Sequence, residues 1–116
     1  MRLEYREILH VLGYLYLQHA QPGRALALLL LAARDAPDDP ELIETLAYAF
    51  LANGDARQAY ALLERLERVD GSAPASSPRY LLLSRTLLAL GHPEQARRLF
   101  KRFTDARRAQ PHAAGS

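Results

Sequence analysis

The feature that most constrains this chain is that it aligns with itself: a pattern of small and apolar residues returns after 34 positions. Leu12-Gly13, Tyr16, Ala25, Leu29, Ala32 and Pro37 define a first copy over residues 6–39. Leu46-Ala47, Phe50, Ala59, Leu63 and Leu66 repeat it over 40–73, with Gly71 standing where the closing Pro would be. A third copy over 77–110, carried by Tyr80, Leu83-Ser84, Leu87, Gly91, Ala96, Phe100 and Phe103, follows after 37 residues. A fixed period of this length marks stacked supersecondary units, none of which can bury its apolar face alone.

The units read as helix pairs. Of the 116 residues 49% are hydrophobic, and these are mostly Ala and Leu, both strong helix formers. Gly13, Ala47 and Ser84 are small enough for the first helix of each pair to approach the second, where Ala25, Ala59 and Ala96 are equally small. Gln21-Pro22-Gly23, Asn53-Gly54-Asp55 and Gly91-His92-Pro93 punctuate the pairs, and Pro22 and Pro93 suit a helix start. Asp55 can cap the next helix with Gln58 as its capping-box partner. The pattern predicts helices near 3–19, 23–36, 40–53, 56–69, 78–90 and 93–108, with the three extra residues absorbed in a loop from Gly71 to Pro78. It describes a single domain over 1–108 and a disordered tail over 109–116, whose Gly115-Ser116 end reads equally as native sequence or a cloning remnant.

Several function classes are disfavoured by residue type. There is no cysteine, which excludes disulfides and thiolate metal sites and agrees with a reducing cytoplasm. Arg2, Glu4, Arg6 and Glu7 interrupt the N-terminus, which lacks the uncharged core of a signal peptide. The longest apolar stretch, Ala25 to Ala33, falls far short of the ~20 residues of a membrane span, so the chain is expected to be soluble. His10, His19, His92 and His112 share no metal-ligand spacing, and no phosphate loop or nucleophile motif is present. The expectation is a non-enzyme without metal or cofactor. Arg97, Arg98, Lys101, Arg102, Arg107 and Arg108 crowd the last helix. Glu94 and Asp105 break that set, and Phe100 and Phe103 fall on core repeat positions, so it reads as a solvated face and not a nucleic-acid site. Lys101 is the only Lys, an Arg bias that points to a GC-rich genome more than to a binding role.

The Leu-Gly-x-x-Tyr run followed by spaced Ala, Leu, Ala and Pro resembles the tetratricopeptide repeat (TPR). That resemblance implies an all-α fold of three helix-turn-helix repeats forming a short right-handed α-solenoid, in which the first helix of each pair lines a concave groove that holds a protein partner. The corresponding groove positions are His10, Tyr14, Leu17 and Gln18; Glu44, Tyr48, Leu51 and Ala52; and Leu81, Arg85, Leu88 and Ala89. Apolar with phenolic hydroxyls, this stripe suits a hydrophobic peptide segment that also offers polar backbone groups. The alternative for Tyr14 and Tyr48 is core packing between repeats, and for Glu44 and Arg85 plain solvation. His10 and Tyr14 stand where a carboxylate-clamp TPR has Lys and Asn, so a chaperone-tail clamp is not expected.

Leu26, Leu28, Leu30 and Leu31 make the second helix apolar all round, which asks for burial either by the N-terminal segment around Leu3 and Ile8 or by a partner. No polar capping helix closes the array, and exposed apolar ends point to an obligate hetero-complex or to self-association.

A narrower resemblance is to the small three-TPR chaperones of type III secretion, the YscY (SctY) group, which bind the exported protein YscX (SctX). It is carried by Leu12-Gly13-Tyr14-Leu15-Tyr16-Leu17-Gln18, and by Leu82-Leu83-Ser84-Arg85 followed by Gly91, Ala96-Arg97 and Phe100. It implies a bacterial cytoplasmic chaperone, linked to virulence and protein transport, that stabilises a small secreted or export-apparatus protein. Needle-subunit co-chaperones and a generic TPR scaffold unrelated to secretion stay open beside it.

Overall fold

The computed structural model describes residues 3–110, and among them there are six helices and no strand. They are α1 (Tyr5–Gln18), α2 (Pro22–Asp35), α3 (Pro40–Ala52), α4 (Ala56–Val69), α5 (Pro78–Ala89) and α6 (Pro93–Ala109). Each start has a local cause. Pro is the first residue of α2, α3, α5 and α6, where its missing N–H costs nothing. Asp39 accepts from the Glu41 N–H at 3.1 Å, Asp55 from the Gln58 N–H at 3.2 Å and Ser77 from the Arg79 N–H at 3.3 Å. α1 begins two residues later than its apolar pattern suggests, because Glu4 is the cap and its N–H donates to Glu7 Oε1 at 2.8 Å, leaving Leu3 outside the helix.

Within each helix pair the chain reverses through a left-handed residue: Ala20 (φ 58°), Gly54 (φ 84°) and Gly91 (φ 85°). α2 begins at Pro22, one residue ahead of the expected start at Gly23. α6 runs to Ala109, one residue into the expected tail, and from residue 111 onward that tail lies outside the described residues, as do His112 and Gly115-Ser116.

The chain divides into two compact units, Met1–Gly71 and Ser72–Ser116. In the first, α1 packs on α2, α2 on α3 and α3 on α4. Its core joins Leu9 and Leu17 of α1, Ala25, Leu26, Leu29 and Ala32 of α2, and Leu42, Leu46 and Ala49 of α3. Gly13 permits the α1–α2 contact: a Cβ there would lie 2.6 Å from Leu29 Cγ. Ala47, Ala59, Leu63 and Leu66 are buried in the α3–α4 pair. Arg6 reaches Asp39 at 3.5 Å, and Arg65 reaches Asp38 at 2.7 Å.

In the second unit α5 packs on α6, with Leu82, Ser84, Leu87, Ala96 and Phe103 buried. The segment before α5 is a loop, as its composition indicates, but its end is anchored. Ser76 is buried, its carbonyl accepts from Arg107 Nε at 3.0 Å and its hydroxyl from Gln110 Nε2 at 2.9 Å. The Arg107 guanidinium also lies 5.0 Å from the centroid of the Phe103 ring.

Candidate protein-binding site

Helical spacing decides what α1 presents. Leu9, Gly13 and Leu17 recur every four residues and face the core, with Tyr16 half-buried beside them. Leu17 is therefore a core residue, 7% exposed, and not the groove residue its repeat position suggested. Rotation about the helix puts Tyr14 and Gln18 outside, and Tyr14 is 46% exposed.

His10 is half-buried at the α1–α3 contact, where Nε2 lies 2.9 Å from Thr45 Oγ1. Thr45 donates its own hydroxyl proton to the Glu41 carbonyl at 3.0 Å, so His10 Nε2 is the donor in this pair. The bond joins the two helices whose equivalent positions carry Tyr14 and Tyr48. Tyr48 is half-buried against the core, Glu44 and Leu51 are half-buried, and Ala52 is exposed. The first unit thus leaves Tyr14 and Gln18 exposed on α1, while Glu44, Tyr48 and Leu51 are half-buried on α3. Lower on the same pair of helices, Arg6, Glu7, His10, Val11, Asp39 and Glu41 border a cleft of about 230 Å³ floored by Leu42.

In the second unit the predicted residues come together in one place. Leu81, Arg85 and Leu88 of α5, with Ser84, face Pro93, Ala96, Arg97 and Phe100 of α6 across an apolar groove of about 290 Å³. Leu88 and Phe100 are exposed there, so Phe100 leaves the core its repeat position implied. Ala89 is exposed.

Two further surfaces depart from expectation. Leu12 is exposed, although its pattern position is an interior one, and with Ile8 and Leu15 it forms an apolar stripe on α1. On α2 the apolar excess resolves by position: Leu26 is buried and Leu28 half-buried against the core, while Leu30 and Leu31 stay exposed. Leu3 and Ile8 are themselves exposed and leave Leu30 and Leu31 open.

The basic residues of α6 are partly paired on their own helix. Arg97 meets Glu94 at 3.0 Å and Lys101 meets Asp105 at 2.8 Å. The Lys101 hydrogen bond holds the Asp105 carboxyl below the usual carboxylate range. Among the described residues no group of three or more His, Asp or Glu side chains could hold a metal ion, and no helix is long and apolar enough to cross a membrane.

A family model described as "Tetratricopeptide repeat" matches residues 50–115, from the last turn of α3 through α6. No curated protein matches the chain.

Proposed function

Because the chain belongs to the tetratricopeptide-repeat family, whose domains bind protein partners, we propose that the outer surface of the α1–α3 contact is where a partner segment is held. The observation that carries this reading is Tyr14, a large amphipathic ring left 46% exposed one helical turn from the exposed Gln18, on the helix that His10 joins to α3. A tyrosine anchored on a rigid helix contributes contact area and a hydroxyl at low entropic cost, the chemistry of interface hot spots. His10, one turn before Tyr14 on α1, is fixed through Thr45 of α3. The role is one of binding and not catalysis.

Within that role we read the chain as a bacterial cytoplasmic chaperone of the YscY (SctY) kind, holding a small export-apparatus or secreted protein of the YscX (SctX) kind. Support comes from the residue runs around Leu12-Gly13-Tyr14 and Leu83-Ser84-Arg85, and from apolar surface left open at Leu30 and Leu31.

The test is co-expression with such an export protein, followed by mass measurement and titration. A discrete heterocomplex is expected, weakened tenfold or more, about 1.4 kcal/mol, by Tyr14→Ala with helicity unchanged. A needle-subunit protein captured in its place assigns the chain to the co-chaperones. An affinity unmoved by Tyr14→Ala and Gln18→Ala together removes this surface from the reading.

A further inference from the structure

We propose that the chain associates head to tail with further copies of itself, the outer stripe of α1 in one copy seating in the α5–α6 groove of the next. The argument rests on repeat register. In the first unit, α3 presents Leu42, Leu46 and Ala49 to the surface formed by Leu17, Ala25, Leu26 and Leu29, and these residues share one buried cluster. Shifted by one period, the α3 residues become Ile8, Leu12 and Leu15. They keep the i, i+4, i+7 spacing of a single helix face but stand 41%, 42% and 44% exposed, against 2%, 5% and 0% for their α3 equivalents. α1 is thus a helix with the seating face and no seat.

The second unit has the converse. Its equivalents of Leu17, Ala25, Leu26 and Leu29 are Leu88, Ala96, Arg97 and Phe100, all of which line the open groove. Leu88 is 61% and Phe100 47% exposed, whereas Leu17 and Leu29 are covered. The groove is a seat with no helix.

A further correspondence favours a second copy over an unrelated helix. At the filled α1–α3 junction a polar pair, His10 with Thr45, crosses between the helices. The register equivalents at the proposed junction are Leu81 of the groove and Val11 of the incoming α1, so both halves change from polar to apolar together. Val11 is exposed next to Leu12, and Leu81 lines the groove. Tyr5, at 66% exposure, extends the α1 stripe by a further turn. Because stripe and groove are different surfaces, the contact is heterologous and each copy keeps one free face of each kind.

The test uses the full chain. Its mass, followed by sedimentation over rising concentration, should climb above the 13.0 kDa of one chain. Leu12→Glu, which spoils the stripe, and Leu88→Glu, which spoils the groove, should each be monomeric. An equimolar mixture should form a species of two chains and no larger one, since one intact stripe meets one intact groove. Both sites are exposed, so helicity should be unchanged; if Leu12→Glu lowers it, Val11→Glu takes its place in the mixture. A wild-type chain that stays monomeric, a mixture that forms no two-chain species, or Leu88→Glu self-associating alone would each overturn the proposal. It does not rest on the partner reading: Tyr14 lies on the opposite side of α1 from Leu12, and Tyr14→Ala should leave self-association intact.

Discussion

Ala20 is the residue at which local chemistry and backbone disagree. It holds φ at 58°, as Gly54 and Gly91 hold 84° and 85° at the equivalent turns, but it carries a Cβ that crowds its own carbonyl in that conformation. Ala20→Gly should therefore stabilise the chain, by about 0.5–1 kcal/mol once the added freedom of the unfolded glycine is subtracted from a penalty of roughly 1–2 kcal/mol. A rise in the urea midpoint without a change in m-value would show it. The other two turns were legible because glycine announces them. Alanine announces nothing, and the reversal at Ala20 falls just ahead of the Gln21-Pro22-Gly23 punctuation.

Leu17 was hidden for a related reason. Its period aligns it with Leu51 and Leu88, and only the rotation of α1 about its axis decides whether such a residue joins the core or borders it. Tyr14 and Gln18 are exposed, because residues turned away from the packed face of a helix point outwards.

At the scale of elements, α1 meets α2 closely enough at Gly13 to leave no room for a side chain there. A methyl added at Gly13 would come within 2.6 Å of Leu29 Cγ, and Leu29 is fully buried. Gly13→Ala gains ~1 kcal/mol of helix propensity and loses about 1–3 kcal/mol to overpacking, so net destabilisation is expected. Pairing it with Leu29→Ala should cost less than the sum of the two single changes, since the volume added by one is removed by the other; denaturant unfolding of the four chains in the cycle measures the coupling.

The helices themselves were largely readable, since Ala and Leu periodicity, proline starts and acidic caps all act within a few residues. Exposure was not. The same register gives a buried Leu46 on α3 and an open Leu12 on α1, a buried Leu29 on α2 and an open Phe100 on α6. Position in a repeat specifies which face a side chain occupies, and whether anything covers that face is a property of the neighbouring element.

For the molecule as a whole, the formal charge of +2 and the basic run on α6 pose the question of a polyanion partner. The pairing of Arg97 with Glu94 and of Lys101 with Asp105 offsets part of that run with carboxylates. Retention on heparin or DNA should accordingly be weak and nearly flat in salt, well short of the slope of a protein that neutralises several phosphates. A steep salt dependence would restore the polyanion reading. Family membership reaches as far as protein binding, and the repeat pattern leaves side chains such as Tyr14, Gln18 and Glu44 unspecified.

The stripe of Ile8, Leu12 and Leu15 also bears on how such a gene can grow. A duplicated copy of the α1–α2 coding segment, inserted in frame ahead of the original, would deliver a ready-made surface of Leu17, Ala25 and Leu29 equivalents onto residues already of the right kind. Lengthening the array at that end would bring an apolar seat to residues already fitted to it, and would set the copied His10 against Val11 in place of Thr45, so one polar contact is all that is left for a later substitution to restore.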